Sequence, residues 1–340
     1  MLKLRPEDPR AVLPFAKWLL GLSGFRQESE QLGRKILFNL FIYVAVLLVP
    51  KVCFPYPDVE ALIRGLSELI FFTNIYVGLF CFILQHRHYR ELLNAIDTFV
   101  KEVYPSSHQP ESPAEQILIK LNRKINTISV IYCCYLAVAA FMYWLTPCMI
   151  TTRSIYRAGS IAGNASIRQI EFFPNLEETF YWLDNRDSVF GYAVFSVVAF
   201  IVFVFAVYNH VTKILTILST IKYCSTLLQL VNLGIDGLNH ATSEVIDREL
   251  KRIIQMHQLA ISCVTLLNRT LSFVMALQLA MCILTWCFTS LYILIVGLDV
   301  TAMMGLLIMI NMTPEMFGYC FFGTELTTIG TMVSRQSYEF

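Results

Sequence analysis

The sequence predicts an all-α, polytopic membrane helical bundle. Three observations carry that reading. Of 340 residues, 56% are hydrophobic and only 15% charged, with a mean hydropathy of +0.57, whereas an ordinary soluble domain carries about 25% charged residues. Long runs lack charge altogether: the 29 residues 270–298 contain none, and a bilayer needs only about 20. The apolar residues outside those runs recur at helical steps of three, four or seven.

Taken in order, residues 1–35 are polar, with Pro6, Pro9, Pro14 and seven Lys or Arg, and do not form a cleavable signal peptide. Within them, 13–22 is an apolar stretch interrupted by Lys17, too short to span and suited to an interfacial or re-entrant helix. Six spans follow, near 36–54, 66–84, 128–150, 189–211, 270–296 and 300–322. Pro50 and Lys51 lie near the end of the first. Arg64 and Glu68, one helical turn apart, begin the second and pair at its edge. Pro147 is expected to stop the third, and Pro314 and Glu315 interrupt the sixth.

The connections differ in kind. Residues 85–104 read as an amphipathic helix with Tyr89, Leu92, Leu93, Ile96, Phe99 and Val100 on one face. Residues 105–113 are a flexible loop. The longest loop, 151–187, is rich in Phe and Tyr.

The fourth span continues its apolar pattern through Ile214, Leu218, Ile221, Leu228 and Val231 towards Gly234. The fifth is preceded by an amphipathic lead, with Leu250, Ile254, His257, Ile261, Val264, Leu271 and Met275 as its seam. No Pro or Gly falls between Glu249 and Val296, so one helix about 70 Å long is expected, or two with a bend near Asn268–Arg269. Asp247 is the expected N-cap of that lead, and His257 a packed or interfacial histidine. Residues 212–269 thus form a helical region outside the membrane, whose seams must be buried on each other or on a partner.

Lys and Arg orient the bundle. With a cytoplasmic N-terminus, 20 of the 26 fall in inside segments; the others are Lys51, Arg64, Arg153, Arg157, Arg168 and Arg186. Asn164-Ala165-Ser166 is then a glycosylation sequon in an outside loop, and the sequons at Asn268 and Asn311 are chance matches.

Several chemistries are excluded. A net charge of +1 gives no reason to expect nucleic acid. The ten cysteines are irregularly spaced, without C-x-x-C, so no metal or other cofactor is expected. Cys53 and Cys148 fall near one membrane face and could pair, but buried free thiols suit the pattern better. No G-x-S-x-G, zinc-helix or phosphate-loop motif occurs, so the chain is not expected to be an enzyme.

Residues 250–254, His257, Leu267, Asn268, Ser272, Gln278 and Tyr292, in a long fifth helix, resemble that helix in the insect odorant receptor family. Tyr319-Cys320-Phe321-Phe322-Gly323-Thr324-Glu325-Leu326 is similar to that family's Cys-aromatic-x-Gly-x-x-Leu signature closing the sixth span. The order and lengths of the spans extend the resemblance over nearly the whole chain.

The resemblance implies a ligand-binding subunit of a tetrameric, odorant-gated, non-selective cation channel in the plasma membrane of chemosensory neurons, assembled with a shared co-receptor. It implies a cytoplasmic anchor built from the inner ends of helices four to six. It also implies a seventh, pore-lining helix after the Cys–Gly motif. Residues 323–340 are read as a truncated tail unable to supply one.

The volatile ligand would sit in the outer half of the bundle, where the spans place Phe71, Phe72, Ile75, Phe141, Tyr143, Trp144, Tyr192, Phe195, Met303 and Met304. An apolar volatile needs an aromatic-rich, closed cavity with few polar groups. The bland reading of each residue is packing. Tyr143 and Tyr192 could hydrogen-bond a polar ligand atom. Glu315 is either an intramembrane functional acid or the partner of a neighbouring helix. A gustatory-type channel subunit, a secondary transporter and a G-protein-coupled receptor are the competing readings. They would call for a polar pocket, internal repeats and an external N-terminus, respectively.

Overall fold

The computed structural model describes residues 12–22, 29–103, 113–160, 170–238, 243–297 and 300–339. Among them the chain is all-α, with a single isolated bridge between Phe180 and Leu183. Six of its helical stretches are long and apolar enough to cross a membrane: Gly33–Cys53, Val59–Leu84, Pro113–Ala158, Val189–Leu238, Ile246–Ile295 and Ala302–Arg335.

α1 (Pro14–Leu22) starts on a proline, whose missing N–H has no intrahelical use there. It buries Phe15, Ala16, Leu19 and Leu20 against the bundle. The first span is α2 (Ser29–Ile42), a π-helical stretch (Tyr43–Leu48) and α3 (Val49–Cys53). Pro50 cannot donate to the carbonyl of Val46 and its ring crowds it. The wider turn lies over that clash.

α4 (Val59–Leu84) is capped by Asp58, whose carboxylate accepts from the Ala61 N–H at 2.7 Å. α5 (His86–Val103) is the expected amphipathic helix, burying Tyr89, Leu92, Ile96, Phe99, Val100 and Val103.

α6 (Pro113–Ser160) runs through Pro147 instead of stopping there, and α9 (Val300–Glu339) runs through Pro314 and on beyond Gly323. A proline costs a helix one hydrogen bond, but within a bundle Ser and Thr side chains re-engage the carbonyls nearby. Thr146 and Thr152 flank Pro147 and donate to Met142 and Cys148, and Thr313 donates to Met309 beside Pro314.

α7 (Val189–Leu238) is the central helix. Around Asn209–Leu228 nearly every residue is buried, because α1, α4, α6, α8 and α9 surround it.

α8 (Ser243–Val296) is one unbroken helix. It begins a turn before Asp247, with no Gly or Pro in that turn, so Asp247 lies within the helix and is not its cap. Its packed seam agrees with the expected one at Leu271, with Val264 and Met275 packed beside it, and differs at the other end. Ile253, Met256, Ala260, Cys263, Leu267, Leu271 and Val274 are buried, while Leu250, Ile254 and Ile261 are exposed. This helix is apolar on two faces, and the face bearing Ala260 and Cys263 is the one buried in the bundle.

Three apolar clusters result. One joins α1, the end of α4, α5, the starts of α6 and α8, and the later halves of α7 and α9. A second joins the first span, the middle of α4, Tyr143 of α6, the early part of α7, Met304 and Ile308 of α9, and Leu176 and Phe180 of the folded-back segment 170–188. A small third one joins Phe15 and Leu19 of α1 to Leu136 of α6 and Val211 and Leu215 of α7. That segment follows α6 and closes one pole of the bundle. The sequon at Asn164 lies outside the described residues. All ten cysteines are free, Cys53 and Cys148 included.

Candidate functional site

Within the core that contains Phe72, Tyr143 and Phe203, α4, α6, α7 and α9 diverge around a cavity of about 50 Å³. Helical spacing puts residues in layers along it: Phe71, Phe72 and Ile75 from α4; Leu136, Ala139, Ala140 and Tyr143 from α6; Phe203, Ala206, Val207 and His210 from α7; Ile308 and Asn311 from α9. Three alanines leave the space, and aromatic rings close it. Phe203 stacks on Phe72 (centroids 6.1 Å apart) and meets Tyr143 edge-on at 5.4 Å.

The ten expected pocket residues divide three ways. Phe71, Phe72, Ile75 and Tyr143 line the cavity. Met304, Phe195, Tyr192 and Trp144 lie nearer the pole. Met304 and Phe195 belong to the apolar core there, and Phe195 packs on Phe180 at 5.3 Å. Tyr192 donates to Asn175 at 3.4 Å, and Trp144 donates its ring N–H to the Ser196 carbonyl at 2.9 Å. Phe141 and Met303 point outward and are half-exposed, at 48% and 58%. Phe203, Ala206 and His210 were not anticipated, although they continue the stripe of Phe195 and Ala199 at helical steps.

The cavity is bracketed by two charge clusters. At the pole, Tyr143 donates to Glu68 at 3.1 Å. Glu68 also pairs with Lys51 at 2.7 Å and Arg64 at 3.3 Å, and accepts from the Glu177 backbone at 3.0 Å. Arg64 and Arg186 each hold Glu177 at 2.7 Å, and Lys51 reaches Glu178 at 2.5 Å. Thus Arg64 and Glu68 pair as expected, but as part of a six-residue cluster that pins the folded-back segment. Burial pushes the Glu178 carboxyl up to about 7 against the pull of Lys51.

At the other end Glu315 is fully buried and pairs with Lys213 at 2.8 Å. It accepts from Asn74 at 3.3 Å and Tyr319 at 3.0 Å, and His210 stands 4.0 Å away. Lys213 also donates to the Asn74 carbonyl at 3.3 Å, and Tyr319 to Gln278. A Cβ at Gly78 would meet Gln278 at 2.9 Å and Lys213 at 3.1 Å, so that glycine lets the two side chains cross. Glu315 is therefore the partner of a neighbouring helix, but a fully buried one and not the cytoplasm-facing partner expected from its place near the end of the span. At about 1.5 Å per residue it lies roughly 22 Å along α9, deep in the bundle.

Among the described residues no group of His, Cys, Asp and Glu is placed to hold a metal ion. The arrangement can enclose a small, largely apolar molecule and position one polar atom of it at either end.

Comparison with known proteins agrees with this architecture. The family described as 7tm Odorant receptor matches residues 58–339. No curated relative matches the sequence. The insect olfactory receptor OR5 from Machilis hrabei superposes with a TM-score of 0.59 at 12% identity, over 90% of this chain and 72% of that one. The structure of the same receptor in complex with eugenol gives 0.59 at 11% identity, over 90% and 74%.

Proposed function

The chain belongs to the 7tm odorant receptor family, and from that premise we propose that it is the ligand-binding subunit of an odorant-gated, non-selective cation channel. The family is one of multi-pass membrane receptors, not of enzymes. The observation that carries the proposal is the aromatic cavity enclosed by α4, α6, α7 and α9 within the family's fold. At about 50 Å³ it is smaller than the roughly 150 Å³ that holds a benzene ring. A ligand enters by displacing the Phe72 and Phe203 rings, and that displacement couples occupancy to the packing of α4 against α7. The volatile ligand is the partner inside the cavity, and dispersion contacts alone make for broad tuning.

The excess of Lys and Arg supports a cytoplasmic N-terminus, which puts segment 170–188 and a glycan on Asn164 outside. Residues 212–269 are the cytoplasmic anchor. The outward stripe of Leu250, Ile254 and Ile261 supports assembly there with a shared co-receptor in a hetero-tetramer, since a helix face this apolar is unfavourable in water unless covered.

The test is co-expression with the co-receptor, an epitope at Met1, and a panel of volatiles. Odorant-evoked cation current is expected, with the epitope unlabelled on intact cells. Ala206→Trp, which fills the cavity, should lower ligand potency at least about tenfold at unchanged surface level. Silence across the panel despite surface expression sinks the channel reading, and labelling of Met1 from outside sinks the orientation.

A further inference from the structure

A hydrocarbon ligand would leave part of the cavity wall unused. Where α9 meets α7, the lining changes from rings and alanines to Asn311 and His210. The Asn311 side-chain oxygen is buried and has no hydrogen-bond partner among the described residues. His210 is 2% exposed, but its ring already meets the Asn311 backbone, and its Nδ1 lies 4.0 Å from Glu315. Its Nε2 faces the Tyr132 hydroxyl at 3.4 Å. Glu315, by contrast, is engaged by Lys213, Asn74 and Tyr319. A buried amide oxygen without a donor is costly, and native structures rarely leave one idle.

Resting on the reading of this cavity as the ligand site, we infer that it selects neutral organic molecules bearing a single hydroxyl on an apolar body, with Asn311 as the residue that confers the selection. A hydroxyl donates to the Asn311 oxygen. Its apolar body then lies among Ala206, Phe72 and Phe203. A ketone, ester or ether offers no donor to Asn311. An alkyl amine offers one, but enters as an ammonium, and the carboxylate that could receive it is already paired with Lys213. A site that presents an unpaired acceptor discriminates against analogues lacking the donor far better than an apolar wall discriminates by shape.

The test uses matched probes of equal size on the whole chain in lipid nanodiscs: benzyl alcohol, anisole and ethylbenzene, with hexanol and heptane as a second series. Binding is read as the ligand-dependent rise in unfolding temperature, and the rise that persists in Ala206→Trp is subtracted as partition into lipid. The alcohol should bind about tenfold or more tightly than its isosteres in at least one series. In Asn311→Leu the ratio should fall to about one while the hydrocarbon still binds. If that variant does not fold, Asn311→Ala makes the same comparison. Equal affinity for alcohol and isostere in the unsubstituted protein overturns the inference and leaves the cavity reading standing. So does a ratio that survives both Asn311 variants. Absence of any binding that Ala206→Trp abolishes overturns both.

Discussion

The two charge clusters that bracket the cavity are both buried, yet they are built on different plans. The polar one gathers three acids, Glu68, Glu177 and Glu178, and three bases, Lys51, Arg64 and Arg186, from two helices and an irregular segment. The interior one holds one acid and one base, Glu315 and Lys213, surrounded by neutral donors from four helices. Near the pole, water reaches the rim, since the Arg186 side chain is 25% exposed. Charges there can be numerous because they lie at the rim, where they tether an irregular segment alongside the packing of Leu176 and Phe180. Deep in the bundle each further charge would carry a desolvation cost of several kcal/mol, so a single pair is kept and fully coordinated.

Breaking the interior pair should have the largest effect. Lys213→Met leaves Glu315 charged and buried, and Glu315→Leu does the same to Lys213. Each should cost about 3–5 kcal/mol, while the double variant should recover most of that loss. Thermal unfolding in nanodiscs measures it. Single variants that melt with the unsubstituted protein would show that the pair holds nothing together.

The polar cluster should respond to pH. Glu178 ionises at about 7 in the fold, against an ordinary value of 4.5. Between those two values the folded state binds the extra proton, so stability is greatest below the window, falls as pH rises through it, and is flat above. The full change is on the order of 3 kcal/mol. Glu178→Gln should flatten that part of the curve. If unfolding temperature against pH keeps the same slope in the variant, the cluster owes its pH response to another group.

This contrast was only half legible in the sequence. Six spans were plain because charge-free runs exceed the bilayer's requirement, and the amphipathic α5 was plain because its apolar face is single. Arg64 and Glu68 were paired correctly, being one turn apart on one helix. Lys213 was read only as an orienting charge, yet its side chain is fully buried against Glu315 on another helix. Pairing across helices depends on their mutual rotation, which local periodicity does not contain. The same gap misplaced Leu250, Ile254 and Ile261 in the seam of α8, where two apolar faces compete, while Leu271 was placed correctly. It also put Phe141 and Met303 among the pocket residues, whereas they face outward beside residues that face inward. The prolines at 147 and 314 misled differently, because a long helix packed within a bundle runs on through the loss of one hydrogen bond.

The smallest effect should come from a third ion pair, which sharpens the contrast by lacking burial. Lys17 of α1 meets Asp97 of α5 at 3.2 Å, with side chains 37% and 36% exposed. In that setting solvent screens the attraction, and ordering two side chains offsets most of the remainder. Lys17→Met should shift stability by no more than about 0.5 kcal/mol. Leu20→Ala on the same helix, fully buried in the adjoining core, should cost about 2–4 kcal/mol. Apolar burial, not the ion pair, then holds α1 on the bundle. The reverse order in unfolding experiments, with Lys17 outweighing Leu20, would mean that α1 is docked electrostatically, and adding salt should then release it.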